Sequence, residues 1–245
     1  MKEIVRSVVI CAPREAVYRY FTDSERFARW WGAGSRIDPR AGGELVIRYP
    51  NGVMAGGTVV EMDEGKRIVF TYGYQDPKKP IPLGGSRVEV VLDEIAEGTR
   101  VTLRHSNVAP ELIAEHAPGW RFQLSLFAKA VAEEVHAAAA ERVDSWFAAW
   151  NERDPAARRA ALACAADDVT FVDDFACLAG IDDIVDHIRA VHERLFARIE
   201  REGPVAACQG TALVRWRAEG VGAGTNVFDF GPDGRIARVV GFWGK

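Results

Sequence analysis

The sequence predicts an α+β protein of two domains, on three observations. A chain of 245 residues is long for one hydrophobic core and suits two of about 100–140 residues each. Two-residue alternation and 3.6-residue apolar spacing both occur in each half, in separate runs rather than in strict succession. The period changes from two to 3.6 near Trp120, and the mixed pattern then begins again in a new order. The expected domains are 1–137 and 138–245.

Residues 3–11 read as a strand. Pro13 opens a helix, where its missing N–H costs nothing, and a second short helix ends at Trp30-Trp31-Gly32. Gly42-Gly43 leads into a strand that puts Leu45, Ile47 and Tyr49 on one face. The next pair, 53–62 and 67–74, turns at Glu64-Gly65, and Ile68, Phe70, Tyr72 and Tyr74 alternate with Val69, Thr71 and Gly73. Asp76 to Pro82, rich in proline and lysine, is a loop. Strands at 86–94 and 99–106 flank Ala96-Glu97-Gly98 and place Val101, Leu103 and His105 together. Trp120, Leu124, Phe127, Val131 and Val135 make one long amphipathic helix. A curved sheet gripping a helix in this way leaves a cavity between them.

No glycine or proline falls between Gly119 and Pro155, so a helix-to-helix junction, bent or continuous, is expected near residue 138. Val143, Trp146, Phe147 and Trp150 continue the apolar spacing. Helices to Asn151 and from Pro155 to about Ala165 precede a strand, Val169–Asp173. A helix from Gly180 to about Ile199 follows. Three antiparallel strands close the chain, at about 205–218, 222–230 and 235–243, with Pro232-Asp233-Gly234 as a tight turn. Helices on one side of a bent sheet again enclose a pocket.

Composition narrows the function. Formal net charge is −4, with 18 Lys/Arg against 18 Asp/Glu in 1–137 and 13 against 17 in 138–245. Neither half has the basic excess that a phosphate backbone requires, which argues against nucleic acid. Val8–Ala12 is too short an apolar run for a signal peptide or a membrane span, so no membrane partner and a cytoplasmic location are expected. Cys11, Cys164, Cys177 and Cys208 show no C-x-x-C spacing and read as free buried thiols. No histidine pair with metal-ligand spacing, phosphate loop or nucleophile elbow appears, so no metal and no cofactor are expected.

Two polar residues stand out. Alternation puts Asp173 on a face with Val169 and Phe171, and Asn226 on a face with Phe228 and Phe230. An acid and an amide on apolar faces need partners in a core, or they line a cavity. Asp173 is either a general base or an aspartate held by backbone N–H groups at a strand end. The two are expected to face each other across an enclosed apolar hollow. His187 borders the stripe of Ile184, Ile188 and Val191 and joins the ligand-facing set with Phe228 and Trp243, while His192 falls on the polar side. In the first domain Tyr49, Phe70, Tyr72, Tyr74, His105 and Trp120 converge on the interior as a ligand site, because several polar tips suit a pocket better than a dry core. Trp30-Trp31 either caps its mouth or staples the short helix to the sheet.

The first half resembles the Hsp90-ATPase-activator-homologue (AHSA1-like) branch of the START/Bet v 1-like (SRPBCC) superfamily. Ala12-Pro13-Arg14-Glu15-Ala16-Val17, Trp30-Trp31-Gly32, Asp38-Pro39-Arg40-Ala41-Gly42-Gly43 and Gly98 to Ser106 carry the likeness. It implies a helix-grip fold. The second half resembles the SnoaL-like, NTF2-like superfamily through Ala166 to Asp173, Gly180-Ile181-Asp182-Asp183-Ile184, and Asp233-Gly234-Arg235-Ile236 ending at Phe242-Trp243. It implies a cone-shaped fold that often dimerises through its sheet. Within that superfamily, ketosteroid isomerases (a worked case of pKa tuning) place a base, a tyrosine and a protonated aspartate around one pocket. By resemblance Asp173 falls on the base, Asn226 on the aspartate and Trp146 on the tyrosine, with an indole N–H in place of the phenol.

Two readings follow. In one, hollow domains bind small apolar ligands and the C-terminal cavity carries isomerase-, cyclase- or dehydratase-type proton transfer by Asp173, Asn226 and Trp146. In the other the protein is a non-catalytic carrier, or a stress-related or co-chaperone-like interaction module.

Overall fold

The computed structural model describes residues 3–244, which divide into two compact units, one ending at Ala132 and the other beginning at Glu133. The protein is α+β, with a seven-stranded and a six-stranded sheet among the described residues. None of their helices is long and apolar enough to cross a membrane.

In the first unit β1 (Ile4–Ile10) is followed by the short helices α1 (Arg14–Tyr18) and α2 (Ser24–Trp31). Asp23 caps α2 by accepting the N–H groups of Glu25 and Arg26 at 2.8 and 3.1 Å, which satisfies two donors of the first turn. Then come β2 (Arg36–Ile37), β3 (Glu44–Arg48), β4 (Met54–Asp63), β5 (Arg67–Tyr74), β6 (Ser86–Ile95), β7 (Gly98–Ser106) and α3 (Ile113–Val135). The sheet is antiparallel, ordered β1-β7-β6-β5-β4-β3-β2. The α3 stripe Trp120, Leu124, Phe127 and Val131 is buried. Phe127 packs on Phe21 and Trp30 with ring centres 5.4 and 4.8 Å away, and Tyr20 donates to the Ala130 carbonyl at 2.7 Å.

The helical run expected to link the halves is interrupted at 136–138: α3 stops at Val135 and α4 (Ala139–Asn151) begins after three intervening residues. The second unit continues with α5 (Pro155–Ala161), capped by Asp154, then β8 (Ala165–Val172), β9 (Cys177–Ala179) and α6 (Ile181–Arg194). It ends with β10 (Ile199–Cys208), β11 (Thr211–Ala218), β12 (Gly222–Phe230) and β13 (Ile236–Trp243), in the sheet order β10-β11-β12-β13-β8-β9. The β13–β8 pair is parallel and the others are antiparallel.

Two expectations fail here for local reasons. The stretch read as one strand at 205–218 is a hairpin of β10 and β11, because Gln209 and Gly210 both take positive φ (46° and 89°) and make a two-residue turn without the usual Asn-Gly. Helix α6 stops at Arg194, not near Ile199. Asn151 donates to the Ile199 carbonyl at 2.7 Å and accepts its N–H at 2.8 Å, which holds Ile199 as the start of a strand.

Candidate functional site

The C-terminal site is built on a row across three adjacent strands. Asn226 on β12 pairs with Gly241 on β13, and Val240 pairs with Val172, which leaves Gly241 beside Asp173 just past the end of β8. A Cβ at Gly241 would lie 3.1 Å from the Asp173 Cβ and 3.2 Å from Asn226 Oδ1. In the next row Trp216, Gly224 and Trp243 align across β11, β12 and β13. Gly224 leaves room for Trp216, which a Cβ there would meet at 2.6 Å. The two indoles meet edge to face at 4.9 Å.

Each indole holds one polar group. Trp216 Nε1 donates to Asn226 Oδ1 at 2.9 Å, and Trp243 Nε1 to Asp173 Oδ2 at 3.3 Å. Because an indole only donates, the first bond sets the orientation of the Asn226 amide and leaves Nδ2–H₂ without a protein partner among the described residues. Asp173 Oδ1 accepts the Phe175 N–H at 2.8 Å, so the backbone-held aspartate and the cavity-lining one are the same residue.

Asp173, Asn226, His187 and Trp243 line one cavity of about 260 Å³ walled by aromatic and aliphatic side chains. Asp173 and Asn226 do not face each other across it. They stand side by side on the sheet, because β8 and β12 flank the same strand. Trp146, expected as an oxyanion donor, does not line it. It is fully buried between Phe171 and Phe228, and its Nε1 has no partner among the described residues. Phe228 is likewise core, two residues along β12 from Asn226.

Both histidines of α6 line the cavity, His187 as expected and His192 against the expectation that it falls on the polar side. Both nitrogens of His192 are engaged. Arg158 Nη2 donates to Nδ1 at 3.2 Å, so the proton is on Nε2, which donates to the Trp150 carbonyl at 2.9 Å. Arg158 is itself only 2% exposed and donates to the carbonyls of Glu152, Arg153 and Val185. His187 makes no hydrogen bond within the described chain, only ring contacts with Trp150 and Phe171. Burial lowers its pKa, and the nearby charge of Asp173 offsets part of that.

Sequence reasoning missed Trp216, Trp150 and the space-making glycines. The buried alternation Ala212, Val214, Trp216, Ala218 marks Trp216 once β11 is separated from β10.

The first unit has its own cavity of about 390 Å³, lined by Tyr49, Tyr72, Tyr74, Trp120, Trp31 and His116 among others. The Tyr49 and Tyr72 hydroxyls bond at 2.9 Å, and burial raises both phenols. Phe70 and His105 do not line it. Phe70 lies two residues before Tyr72 on β5, in the core. His105 accepts the Trp120 indole N–H on Nδ1 at 2.9 Å, so Nε2 carries the proton and meets Ser86 Oγ at 2.7 Å, while Ser86 donates to the Tyr72 carbonyl at 2.8 Å. The imidazole is thus part of a closed polar chain, and burial lowers its pKa to about 4. Trp30 and Trp31 are both buried and stack at 4.4 Å, with Trp31 alone reaching the cavity wall.

The cysteines are not uniformly buried: Cys177 and Cys208 are exposed, Cys11 and Cys164 are half-buried, and burial pushes the Cys164 thiol up to about 11. No group of three or more metal-ligating side chains occurs among the described residues.

Comparison with known proteins agrees with this division. The family described as "Activator of Hsp90 ATPase homolog 1-like protein" matches residues 11–132, and the SnoaL-like domain family matches residues 143–239. The chain carries an AHSA1-like domain followed by a SnoaL-like domain. Similar solved structures include the AHSA1-like protein RHE_CH02687 of Rhizobium etli (29% identity over 53% of this chain and 81% of that one, TM-score 0.43). The Aha1 dimer of Colwellia psychrerythraea is 22% identical over 51% and 93%, with TM-score 0.44. A SnoaL-like family protein of Agrobacterium tumefaciens is 27% identical over 46% and 99%, with TM-score 0.41. No curated protein matches the sequence significantly.

Proposed function

We propose that the SnoaL-like domain, taken as 138–245, binds a small, largely apolar carbonyl compound and moves a proton on it. One observation carries the reading: the carboxylate of Asp173 and the amide of Asn226 lie on either side of a glycine in the floor of one apolar cavity. Asp173 removes a proton next to the carbonyl. The negative charge that develops on the carbonyl oxygen is met by Asn226 Nδ2–H, already oriented by Trp216. The reaction class is isomerisation, cyclisation or dehydration of a cyclic ketone.

The AHSA1-like domain, 1–137, is on this reading a binding domain. The Tyr49 and Tyr72 hydroxyls bond each other and His105 bonds Trp120 and Ser86, which suits holding a ligand more than transferring its protons. The protein works in the cytoplasm as a homodimer that pairs through the outer sheet face of the second domain. There Leu213, Val227, Val240 and Val172 fall in one register row, with Leu213 and the neighbouring Phe242 exposed.

The test is turnover of a panel of cyclic enones, guided by native mass spectrometry of the protein from its own host. Wild type should convert at least one compound, and Asp173→Asn, shown folded by circular dichroism, should lose conversion by about 100-fold or more. A folded D173N protein with full activity overturns the reading. Light scattering with Leu213→Glu tests the dimer.

A further inference from the structure

The mouth of the C-terminal cavity is as apolar as its interior. Three lining side chains are strongly exposed: Phe175 at 76%, Leu195 at 54% and Val221 at 39%. They come from three separate connections, β8–β9, α6–β10 and β11–β12, while Phe147, Phe171 and Trp216 at the inner end are buried. Phe175 is held in place, its ring edge to face with Trp243 at 5.4 Å and its N–H on Asp173. Single exposed apolar residues need no explanation, but three converging on one opening do.

The charge pattern is as specific. No lysine or arginine lines the cavity among the described residues, whereas Asp173 does. The nearby Arg158 guanidinium is turned to backbone carbonyls and His192. An anionic ligand would meet a carboxylate with no cation to balance it. The volume, about 260 Å³, falls below the usual range of roughly 300–1,000 Å³ for small-molecule sites, so a ligand larger than a ring with a short chain must extend through the opening.

We infer that the ligand is an uncharged amphiphile. Its flat head presents a hydroxyl or carbonyl oxygen to Asn226 and Asp173, and its alkyl tail leaves over Phe175, Leu195 and Val221. This rests on the reading of the cavity as a ligand site.

4-Alkylphenols from methyl to octyl test it on the full-length protein, with binding read at the indole N–H resonances of Trp216 and Trp243 so that the other domain does not contribute. Affinity should rise about two- to fourfold per methylene up to the octyl compound. 4-Alkylbenzoates should bind at least about tenfold more weakly than the matching phenols, from the unbalanced charge. The double variant Leu195→Ser, Val221→Ser, at exposed positions that neither bond to Asp173 nor stack on the two indoles, should flatten the gain for hexyl and octyl and leave 4-methylphenol unchanged. An increment that ends at short chains, an octyl gain that survives the double variant, or benzoates binding as well as phenols overturns this inference alone. Failure of every phenol to perturb either indole overturns the ligand-site reading and this inference with it.

Discussion

Trp216 and Trp243 stand edge to face across Gly224, and each commits its indole N–H to a different polar residue of the same cavity: Trp216 to Asn226, Trp243 to Asp173. Two glycines make this possible. With any side chain at 224 the Trp216 ring would be displaced, and with one at 241 the carboxylate and the amide would be pushed apart.

Gly241→Ala therefore tests the floor of the site. The added methyl lies 3.1 and 3.2 Å from Asp173 and Asn226, tighter than ordinary contact. Calorimetry with 4-butylphenol should show binding weakened by about tenfold, and thermal unfolding a loss of about 1–2 kcal/mol from overpacking. Unchanged affinity would mean that the two polar groups do not act on one ligand.

Trp216→Phe keeps the ring and removes the donor. Asn226 is 6% exposed, so its carbonyl oxygen is left buried without a partner, at a cost of about 1–3 kcal/mol in urea unfolding. Combining W216F with Asn226→Leu should cost less than the sum of the two single changes, since the second removes the orphaned group. Strict additivity would show that the bond contributes nothing.

His187 reports on Asp173. Burial lowers the histidine's pKa and the aspartate's charge raises it again in part. Asp173→Asn removes the second effect, so the His187 midpoint should move further down in an NMR titration of its Cε1–H. An upward or absent shift would place the two groups out of electrostatic reach.

His105 sets a pH dependence of stability in the first domain. Its folded pKa is lowered to about 4, while in an unfolded chain it titrates near ~6.5. Between these values the unfolded state binds a proton that the native state refuses. Stability contributed by the neutral imidazole is thus complete above about pH 6.5 and is lost as pH falls toward 4, by roughly 3 kcal/mol in all. Protonation of Nδ1 would also break the bond from Trp120. His105→Gln should flatten the melting-temperature profile between pH 7 and 4, and a slope equal to wild type would assign the dependence elsewhere.

Much of the fold is legible in the sequence because its elements announce themselves locally: Pro13 and Pro155 at helix starts, Gly98 in a hairpin, the Trp120-to-Val131 stripe. What escapes is decided at a distance. Arg198-Ile199 reads as the end of a helix until Asn151, 48 residues earlier, clamps Ile199 into a strand. The turn at Gln209-Gly210 lacks its usual residues, so two strands read as one. The site divides in the same way. Alternation brings Asp173 and Asn226 to apolar faces, but their adjacency depends on which strand lies between them, a matter of sheet order. The polar place of His192 on α6 hides a bond to a buried arginine on another helix. Trp146, set on the tyrosine by resemblance, lies in the core instead, because matching segments carries over a position and not the direction of an N–H.

The parallel pairing of β13 with β8 has a consequence for assembly. Asp173 is synthesised about 70 residues before Trp243, the group that orients it, and Gly241 arrives with Trp243 on the same closing strand. The strand that carries Asn226 and the one that leads into Asp173 do not pair with each other, so the two groups come side by side only once β13, the last strand of the chain, takes its place between β12 and β8. On the proposed reading, a chain arrested before Ile236 would lack the strand that sets the carboxylate beside the amide.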